Sequence, residues 1–115
     1  MTFVPSRDYE VSKRFYVDLG FDINWSNEQV SELQIADFRF LLQNFHAEQW
    51  AANCMMQLLV EDAGPWWQRI GERRLSEKYP GVVAKPPTLQ PWGLRVLYLT
   101  DPAGVLWHIA DRHEA

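Results

Sequence analysis

The sequence predicts an α+β fold in which the order strand, helix, three strands occurs twice. Short apolar or alternating runs predict the strands, and two stretches with apolar residues at helical spacing predict the helices between them. Near the end, two apolar runs flank Asp101-Pro102-Ala103-Gly104, a sequence typical of a tight hairpin turn. With 115 residues, the chain is long enough for a core of its own. We therefore expect one domain over residues 1–115.

The first module is predicted over about residues 1–45. Phe3-Val4-Pro5 predicts a short strand, and Ser6 or Asp8 can cap the helix that follows. Gly20 ends this helix. Its apolar positions are four residues apart, at Val11, Phe15 and Leu19. Three strands follow, over residues 21–25, 30–35 and 38–44.

The second module is predicted over about residues 54–111, after a linker at 45–53. It begins with a strand from Cys54 to Val60. A helix then starts at Glu61 or Asp62, with Pro65 in its first turn. This helix is predicted to end by Tyr79-Pro80-Gly81, and its inward face is formed by Trp67 and Ile70, with Trp66 beside them. Residues 82–84 can be extended, but Pro86-Pro87 exclude a central strand there. The hairpin closes the module with strands over 94–100 and 105–110.

Two of the predicted strands have one strongly apolar face each. In the last strand of the first module, this face carries Phe38, Phe40 and Leu42. In the closing strand, it carries Val105, Trp107 and Ile109. We expect these faces to lie under helices. The opposite faces carry Arg39, Leu41, Gln43, Leu106, His108 and Ala110.

Composition limits the function. The net charge of −4 argues against a nucleic-acid partner, which requires a basic patch. Aromatic residues make up 14% of the chain, including six Trp, which favours an aromatic-lined cavity, a subunit interface, or both. The single cysteine, Cys54, excludes an internal disulfide and heads an apolar run, as a buried inert thiol would. With no leader and no apolar run near the roughly 18 residues of a membrane span, we expect a cytoplasmic protein without a membrane partner.

Both ends of the chain carry motifs of one family. Near the end, Trp92-Gly93, a strand, Asp101-Pro102-x-Gly104 and a closing strand follow one another. The start reads Val4-Pro5-Ser6-Arg7-Asp8, then Ser12, Phe15-Tyr16 and Leu19-Gly20-Phe21. Together they resemble the vicinal oxygen chelate superfamily, which holds glyoxalases, extradiol dioxygenases, fosfomycin-resistance enzymes and metal-free bleomycin-resistance proteins. The last group is the most similar. The resemblance implies two βαβββ modules that form a curled mixed sheet around a cleft, with helices on the convex side.

The resemblance also locates where metal-dependent relatives bind their ion. Those four positions fall on Met1, near Leu41, on Met55 and on His108. A divalent transition metal needs at least three nitrogen or oxygen donors, and here only the histidine qualifies. His46, His113, Glu61 and Asp62 could be recruited, but both histidines lie on segments that we expect to be exposed. We therefore expect neither a metal nor another cofactor.

A ligand in the cleft should meet aromatic and soft apolar groups. Trp92, in Pro91-Trp92-Gly93, resembles the tryptophan that stacks on the drug in bleomycin-resistance proteins, although it could instead pack at a dimer seam. Trp25 lies where those relatives often carry an aromatic residue. The remaining residues expected around the cavity are Arg39, Leu41, Gln43, Met55, Gln57, Leu59, Leu106 and His108. Trp66, Trp67 and Trp107 are predicted to be structural.

Three roles remain open for His108. It can be a partly buried histidine of the cleft, a polar contact to ligand, or a general base oriented by Asp111 or a cleft carboxylate. The resemblance also implies a homodimer in which the two copies exchange their N-terminal strands at a hinge near Pro5. The alternative is that this strand pairs within its own chain.

Three functions are consistent with the sequence. We expect a metal-free binding protein of the bleomycin-resistance type, which sequesters an aromatic or cationic small molecule and confers antibiotic resistance, rather than an enzyme. The alternative is a glyoxalase- or dioxygenase-like lyase or oxygenase with a degenerate metal site. A third option is an interaction domain whose aromatic residues serve only a subunit interface.

Overall fold

The computed structural model describes residues 2–46 and 54–112 and contains two four-stranded mixed sheets. The first module forms β1 Phe3–Pro5, α1 Tyr9–Leu19, β2 Asp22–Ser26, β3 Val30–Ile35 and β4 Phe38–Gln43. The second module forms β5 Met55–Leu59, α2 Gly64–Glu72, α3 Leu75–Lys78, β6 Ala84–Leu89, β7 Arg95–Thr100 and β8 Leu106–Asp111. The predicted α+β fold with two βαβββ modules is confirmed.

The two sheets have the same topology. Sheet one has the strand order β1-β4-β3-β2, and sheet two has the order β5-β8-β7-β6. In each sheet the first strand pairs in parallel with the last strand of its module, and the remaining pairs are antiparallel. The element order that the sequence repeats is therefore also repeated in space.

Helix α1 begins and ends where its sequence predicts. The carboxylate of Asp8 accepts a 3.3 Å hydrogen bond from the backbone N–H of Val11, which caps the first turn. Gly20 ends the helix with a φ of +125°, a conformation that disfavours any side chain. Arg69 of α2 donates a 3.0 Å hydrogen bond to the carbonyl of Leu19, so the end of α1 is tied to the second module.

Helix α2 differs from its prediction in its start and its inward face. It begins at Gly64 rather than at Glu61 or Asp62, because the carboxylate of Asp62 accepts a 2.8 Å hydrogen bond from the N–H of Gly64 in a turn before the helix. Trp67 was predicted to face inward, and this is wrong: its side chain is 37% exposed. Trp66 packs against the core in its place, beside the buried Ile70.

The consecutive prolines lie within a strand, although not a central one. β6 contains Pro86 and Pro87, forms the edge of sheet two, and shifts register between Lys85 and Thr88. An edge strand tolerates proline because its missing N–H can face solvent. The extended segment expected at residues 82–84 therefore lies two residues later, beginning at Ala84.

One hydrophobic core joins the two modules. Trp107 of β8 is fully buried, and its ring lies 5.3 Å from that of Phe40 and 5.9 Å from that of Phe38, both on β4. The rings of Tyr16 and Phe21 complete the cluster around this indole, at 5.7 and 5.9 Å. The predicted apolar faces of β4 and β8 thus pack against each other and against α1. We call them the inner faces, and the opposite side of each sheet its open face.

Two single residues, Cys54 and His46, have the environments that the sequence predicts. Cys54 is half-buried, and burial raises the pKa of its thiol, as expected for an unreactive cysteine. His46 is exposed, as predicted, whereas Met1, residues 47–53 of the linker and His113 lie outside the described residues. Among the described helices, none has the length and apolar character needed to cross a membrane.

Candidate ligand-binding site

All eight strand residues predicted to surround a ligand lie on the open faces. They alternate along the strands with buried residues such as Phe40, Leu58 and Trp107. Those of sheet one are Arg39, Leu41 and Gln43; those of sheet two are Met55, Gln57, Leu59, Leu106 and His108. The structure thus brings each set together on one surface; their contact with a ligand stays a prediction.

The open face of sheet one carries a row of large side chains. Trp25, Glu32, Leu41 and Phe3 are successive partners across β2, β3, β4 and β1. A register shift between Ile23 and Trp25 puts the indole in this row, where it is 46% exposed. Phe3 is exposed to the same extent. Trp25 is therefore available to a planar ligand.

The open face of sheet two has apolar rows at its two ends. One row pairs Met55 with Leu106, and the other pairs Leu59 with Ala110. Met55 and Leu59 leave more than half of their side chains exposed to solvent. Because Leu106 is half-buried and Ala110 is buried, Met55 and Leu59 are the apolar side chains that these two rows offer to a ligand.

Trp92 lies in the turn between β6 and β7. The N–H of Gly93 donates to the carbonyl of Gln90, and the N–H of Gln90 donates to that of Leu94, at 3.0 and 2.8 Å. Gly93 has a φ of +93°, which its lack of a side chain permits. This compact turn leaves 61% of the Trp92 side chain exposed, as its predicted contact with a ligand requires.

The structure narrows the roles open to His108. Its imidazole packs edge-on against Tyr98, with 4.7 Å between ring centroids, and burial lowers its pKa. Asp111 lies on the inner face of β8, where its carboxylate accepts hydrogen bonds from the N–H of Ala63 and the guanidinium of Arg95. The proposed general base oriented by Asp111 is therefore wrong, because the two side chains point to opposite faces.

The residues present do not fit the metal site of the superfamily's enzymes. Leu41 and Met55 occupy two of the positions that hold ligands in metal-dependent relatives, and neither provides a nitrogen or oxygen donor. Within residues 2–46 and 54–112, no three His, Cys, Asp or Glu side chains lie close enough together to hold an ion. His108 alone cannot replace such a set.

Cavities occur on both sides of the molecule. One of about 620 Å³ borders the outer edge of β5 and includes the open-face residues Gln57 and Leu59, together with Trp66. A groove of about 690 Å³ runs along α1, past Val17 and Ile23, on the inner side of sheet one. Only the first of these is continuous with the predicted ligand surface.

Sequence patterns did not identify several residues of the open faces, among them Phe3, Glu32 and Tyr98. Phe3 and Glu32 share the row of Trp25, and Tyr98 shares the row of His108. The alternation of β7 could have placed Tyr98 opposite its buried neighbours Leu97 and Leu99, but its pairing with His108 depends on register.

The chain is similar to proteins that bind bleomycin. The model of the Glyoxalase/Bleomycin resistance protein/Dioxygenase superfamily matches residues 1–109. A bleomycin resistance protein of Klebsiella pneumoniae is 31% identical over 113 residues, with 90% of this chain and 83% of that protein covered.

Two solved structures extend the similarity to three dimensions. A bleomycin-binding protein, in a crystal structure of its complex with bleomycin, is 25% identical and superposes with a TM-score of 0.84, covering 98% of this chain and 97% of its own. The bleomycin resistance determinant encoded on the transposon Tn5 is 24% identical, with a TM-score of 0.85 over 98% and 96% of the two chains. Sequence and fold agree over both modules, and the chain belongs to the Glyoxalase/Bleomycin resistance protein/Dioxygenase superfamily.

Proposed function

We propose that this chain is a metal-free binding protein of the bleomycin-resistance type that sequesters an aromatic or cationic small molecule. The observation that carries the proposal is the exposure of two indoles, Trp25 and Trp92, whereas most other aromatic residues in the described part of the chain lie in the core or pack against it. The Klebsiella pneumoniae relative and the solved complex with bleomycin support a ligand of this kind. Bleomycin is therefore the first ligand to test.

Sequestration requires binding but no chemical step. A planar ligand stacked on an indole gains about 0.5–1.5 kcal/mol per ring pair, and a cationic group over such a ring gains a similar amount. The flexible side chain of Met55 can adapt to ligands of different shape. Several such contacts lower the free concentration of a toxic compound in the cytoplasm, where the single cysteine stays reduced.

The proposed binding unit is a homodimer. In one chain the inner faces pack together, so the open faces cannot enclose a ligand by facing each other. A second copy can place its open face of sheet two opposite sheet one of the first, and so cover most of a ligand's surface. Strand β1, with three residues, pairs with β4 of its own chain here, and it could make the same bonds with a partner's β4 through a hinge at Pro5. We expect sedimentation to give twice the monomer mass of 13.5 kDa.

A titration with bleomycin, followed by tryptophan fluorescence, tests the proposal. We expect saturable quenching, and about three- to tenfold weaker binding by Trp92→Ala, the loss of one stacking contact. Trp67→Ala is the matched control, because this partly exposed indole lies on α2, outside both open faces. If bleomycin does not bind, or if Trp92→Ala binds every ligand as tightly as the unchanged protein, the proposed stacking site is wrong.

A further inference from the structure

The middle of the open face of sheet two carries four polar side chains in one row. Gln57, His108, Tyr98 and Lys85 are successive partners across β5, β8, β7 and β6. Directly paired residues point their side chains to the same face, and the ring contact between His108 and Tyr98 agrees with this. Because neighbouring strands lie about 4.8 Å apart, the row spans about 14 Å.

Apart from the ring contact between His108 and Tyr98, these four side chains have no polar partner within residues 2–46 and 54–112. Their polar atoms form no hydrogen bond there, and the ammonium of Lys85 forms none of the five ion pairs. This differs from the interior of the protein, where the polar groups of Tyr16, Asp101 and Arg95 all have partners. Within the described residues, the polar atoms of the row are therefore available to a ligand.

The charge of this row is positive. The rows on either side consist of uncharged residues: Met55, Leu106, Thr100, Leu59, Ala110, Val96 and Thr88. No carboxylate occurs among the paired residues of this face. The acidic Glu61 follows β5, at the opposite edge of the sheet from Lys85, so it does not neutralise that ammonium.

The other members of the row supply hydrogen-bond donors. Burial lowers the pKa of His108, which favours the neutral imidazole, a form with one N–H donor. The hydroxyl of Tyr98 and the amide of Gln57 can each donate as well. A ligand group lying across the row thus meets donors from three uncharged side chains and one cation.

We infer that the row Gln57–His108–Tyr98–Lys85 binds the carboxylate, or a similar anionic group, of a planar aromatic ligand. The inference rests on the proposed function, and of its two ligand classes it selects the aromatic one over the cationic one. Rings would lie over the exposed side chains of Met55 or Leu59 on either side, and the anion would reach Lys85.

The net charge of the chain would favour a cationic ligand over an anionic one. A charge of −4 attracts cations, but salt at 0.1 M screens fields beyond about 10 Å. A charge-assisted hydrogen bond between an ammonium and a carboxylate acts at about 2.8 Å, where the screening is weak. The local contact therefore decides the preference.

Three naphthalene probes of the same shape test this inference by calorimetry: 2-naphthoate, 2-naphthalenemethanol and 2-naphthylmethylammonium. We expect 2-naphthoate to bind about tenfold more tightly than the ammonium probe. Lys85→Met should reduce the ratio of the affinities for 2-naphthoate and the ammonium probe to about twofold or less. Tyr98→Phe should weaken the binding of 2-naphthoate alone. Arg7→Gln removes the same charge from an exposed position before α1 and should leave the ratio unchanged.

The outcomes separate this inference from the proposed function. If all three probes bind with equal affinity, or if the ammonium probe binds most tightly, the proposed function stands and the anionic preference is overturned. A ratio that Arg7→Gln reduces as much as Lys85→Met does also overturns it, since the effect would then come from net charge. If no probe binds but bleomycin does, the inference fails and the proposed function stands; if neither the probes nor bleomycin bind, both fail.

Discussion

The hydroxyl of Tyr16 donates a 2.5 Å hydrogen bond to Oδ2 of Asp101, and this bond joins α1 of the first module to the closing turn of the second. Both residues are fully buried. The indole N–H of Trp107 donates to the same hydroxyl at 2.9 Å. The other oxygen of Asp101 accepts 2.9 Å hydrogen bonds from the N–H groups of Ala103 and Val105, which shape the turn. The Asp-Pro-x-Gly motif thus connects the modules as well as closing a hairpin.

Removal of the Tyr16 hydroxyl should destabilise the protein. Tyr16→Phe leaves one oxygen of Asp101 without this donor and the indole N–H of Trp107 without this acceptor, both buried. We expect a loss of about 2–4 kcal/mol in the free energy of unfolding, measured by urea denaturation. Tyr98→Phe, on the open face, is the control and should change stability by less than about 0.5 kcal/mol. Equal stability of the two variants would show that this bond does not support the fold.

The same buried carboxylate should make stability depend on pH. Burial raises the pKa of Asp101 to about 6, although the donors of Tyr16 and the turn oppose this. The folded state therefore binds the proton of the Asp101 carboxyl more tightly than the unfolded state does. The resulting contribution of Asp101 to the free energy of unfolding is fully present below about pH 4 and is lost as the pH rises through 6. Two pKa units correspond to about 3 kcal/mol at most.

The comparison with Asp101→Asn isolates this contribution. The stability of the unchanged protein minus that of the variant should be largest near pH 4.5 and should fall toward pH 7. Other carboxylates, such as Asp18, whose partner Lys78 favours its charged form, titrate equally in both proteins and cancel in the difference. A difference that does not vary between pH 4.5 and 7.5 would contradict the raised pKa.

Replacement of Arg95 should destabilise the protein more than replacement of its exposed partner, Asp62. Its guanidinium contacts the buried carboxylate of Asp111 at 2.9 Å and the exposed one of Asp62 at 2.6 Å. Arg95→Met removes the cation from a buried carboxylate, and we expect a loss of about 2–3 kcal/mol in thermal or urea unfolding. Asp62→Asn removes the exposed partner and should cost less than about 1 kcal/mol. The reverse order would contradict the assignment of Asp111 as the structural partner.

Substitution by alanine should change the stability of the protein in opposite directions at two glycines. Gly20 has a positive φ, and a Cβ there would collide with the guanidinium of Arg69, so Gly20→Ala should destabilise the fold by about 1–2 kcal/mol. Gly71, in helix α2, has room for a methyl group, because no heavy atom other than those of its neighbours and its own helix backbone lies within 4 Å of the position that a Cβ would take. Gly71→Ala should therefore stabilise the protein by about 0.5–1 kcal/mol. Chemical denaturation of both variants measures this; a stabilising Gly20→Ala would show that this end of α1 can adjust.

Local patterns in the sequence sufficed for most of the fold. The turn of Asp101-Pro102-Ala103-Gly104 has fixed backbone preferences, and the alternation in β4 and β8 depends only on neighbouring residues. Both were therefore predicted correctly, and with them the open-face positions of residues such as Leu41 and His108.

The errors came from properties that depend on distant parts of the chain. Two adjacent indoles, Trp66 and Trp67, have the same local pattern, and only the packing of α2 decides which of them contacts the core. Pro86 and Pro87 fit a strand because β6 lies at the edge of its sheet, which topology decides. Likewise, the pairing of Tyr98 with His108 requires the register of β7 against β8.

The most direct test of the central claim combines metal analysis with a binding measurement on one sample. Protein purified without chelator is analysed for metal and then titrated calorimetrically with metal-free bleomycin, with and without EDTA. We expect saturable binding that EDTA does not alter, and far less than one equivalent of metal per chain. About one equivalent of Zn, Ni, Mn or Fe, bound by His108 among other ligands, with binding lost in EDTA, would contradict a metal-free receptor and favour a glyoxalase- or dioxygenase-like enzyme.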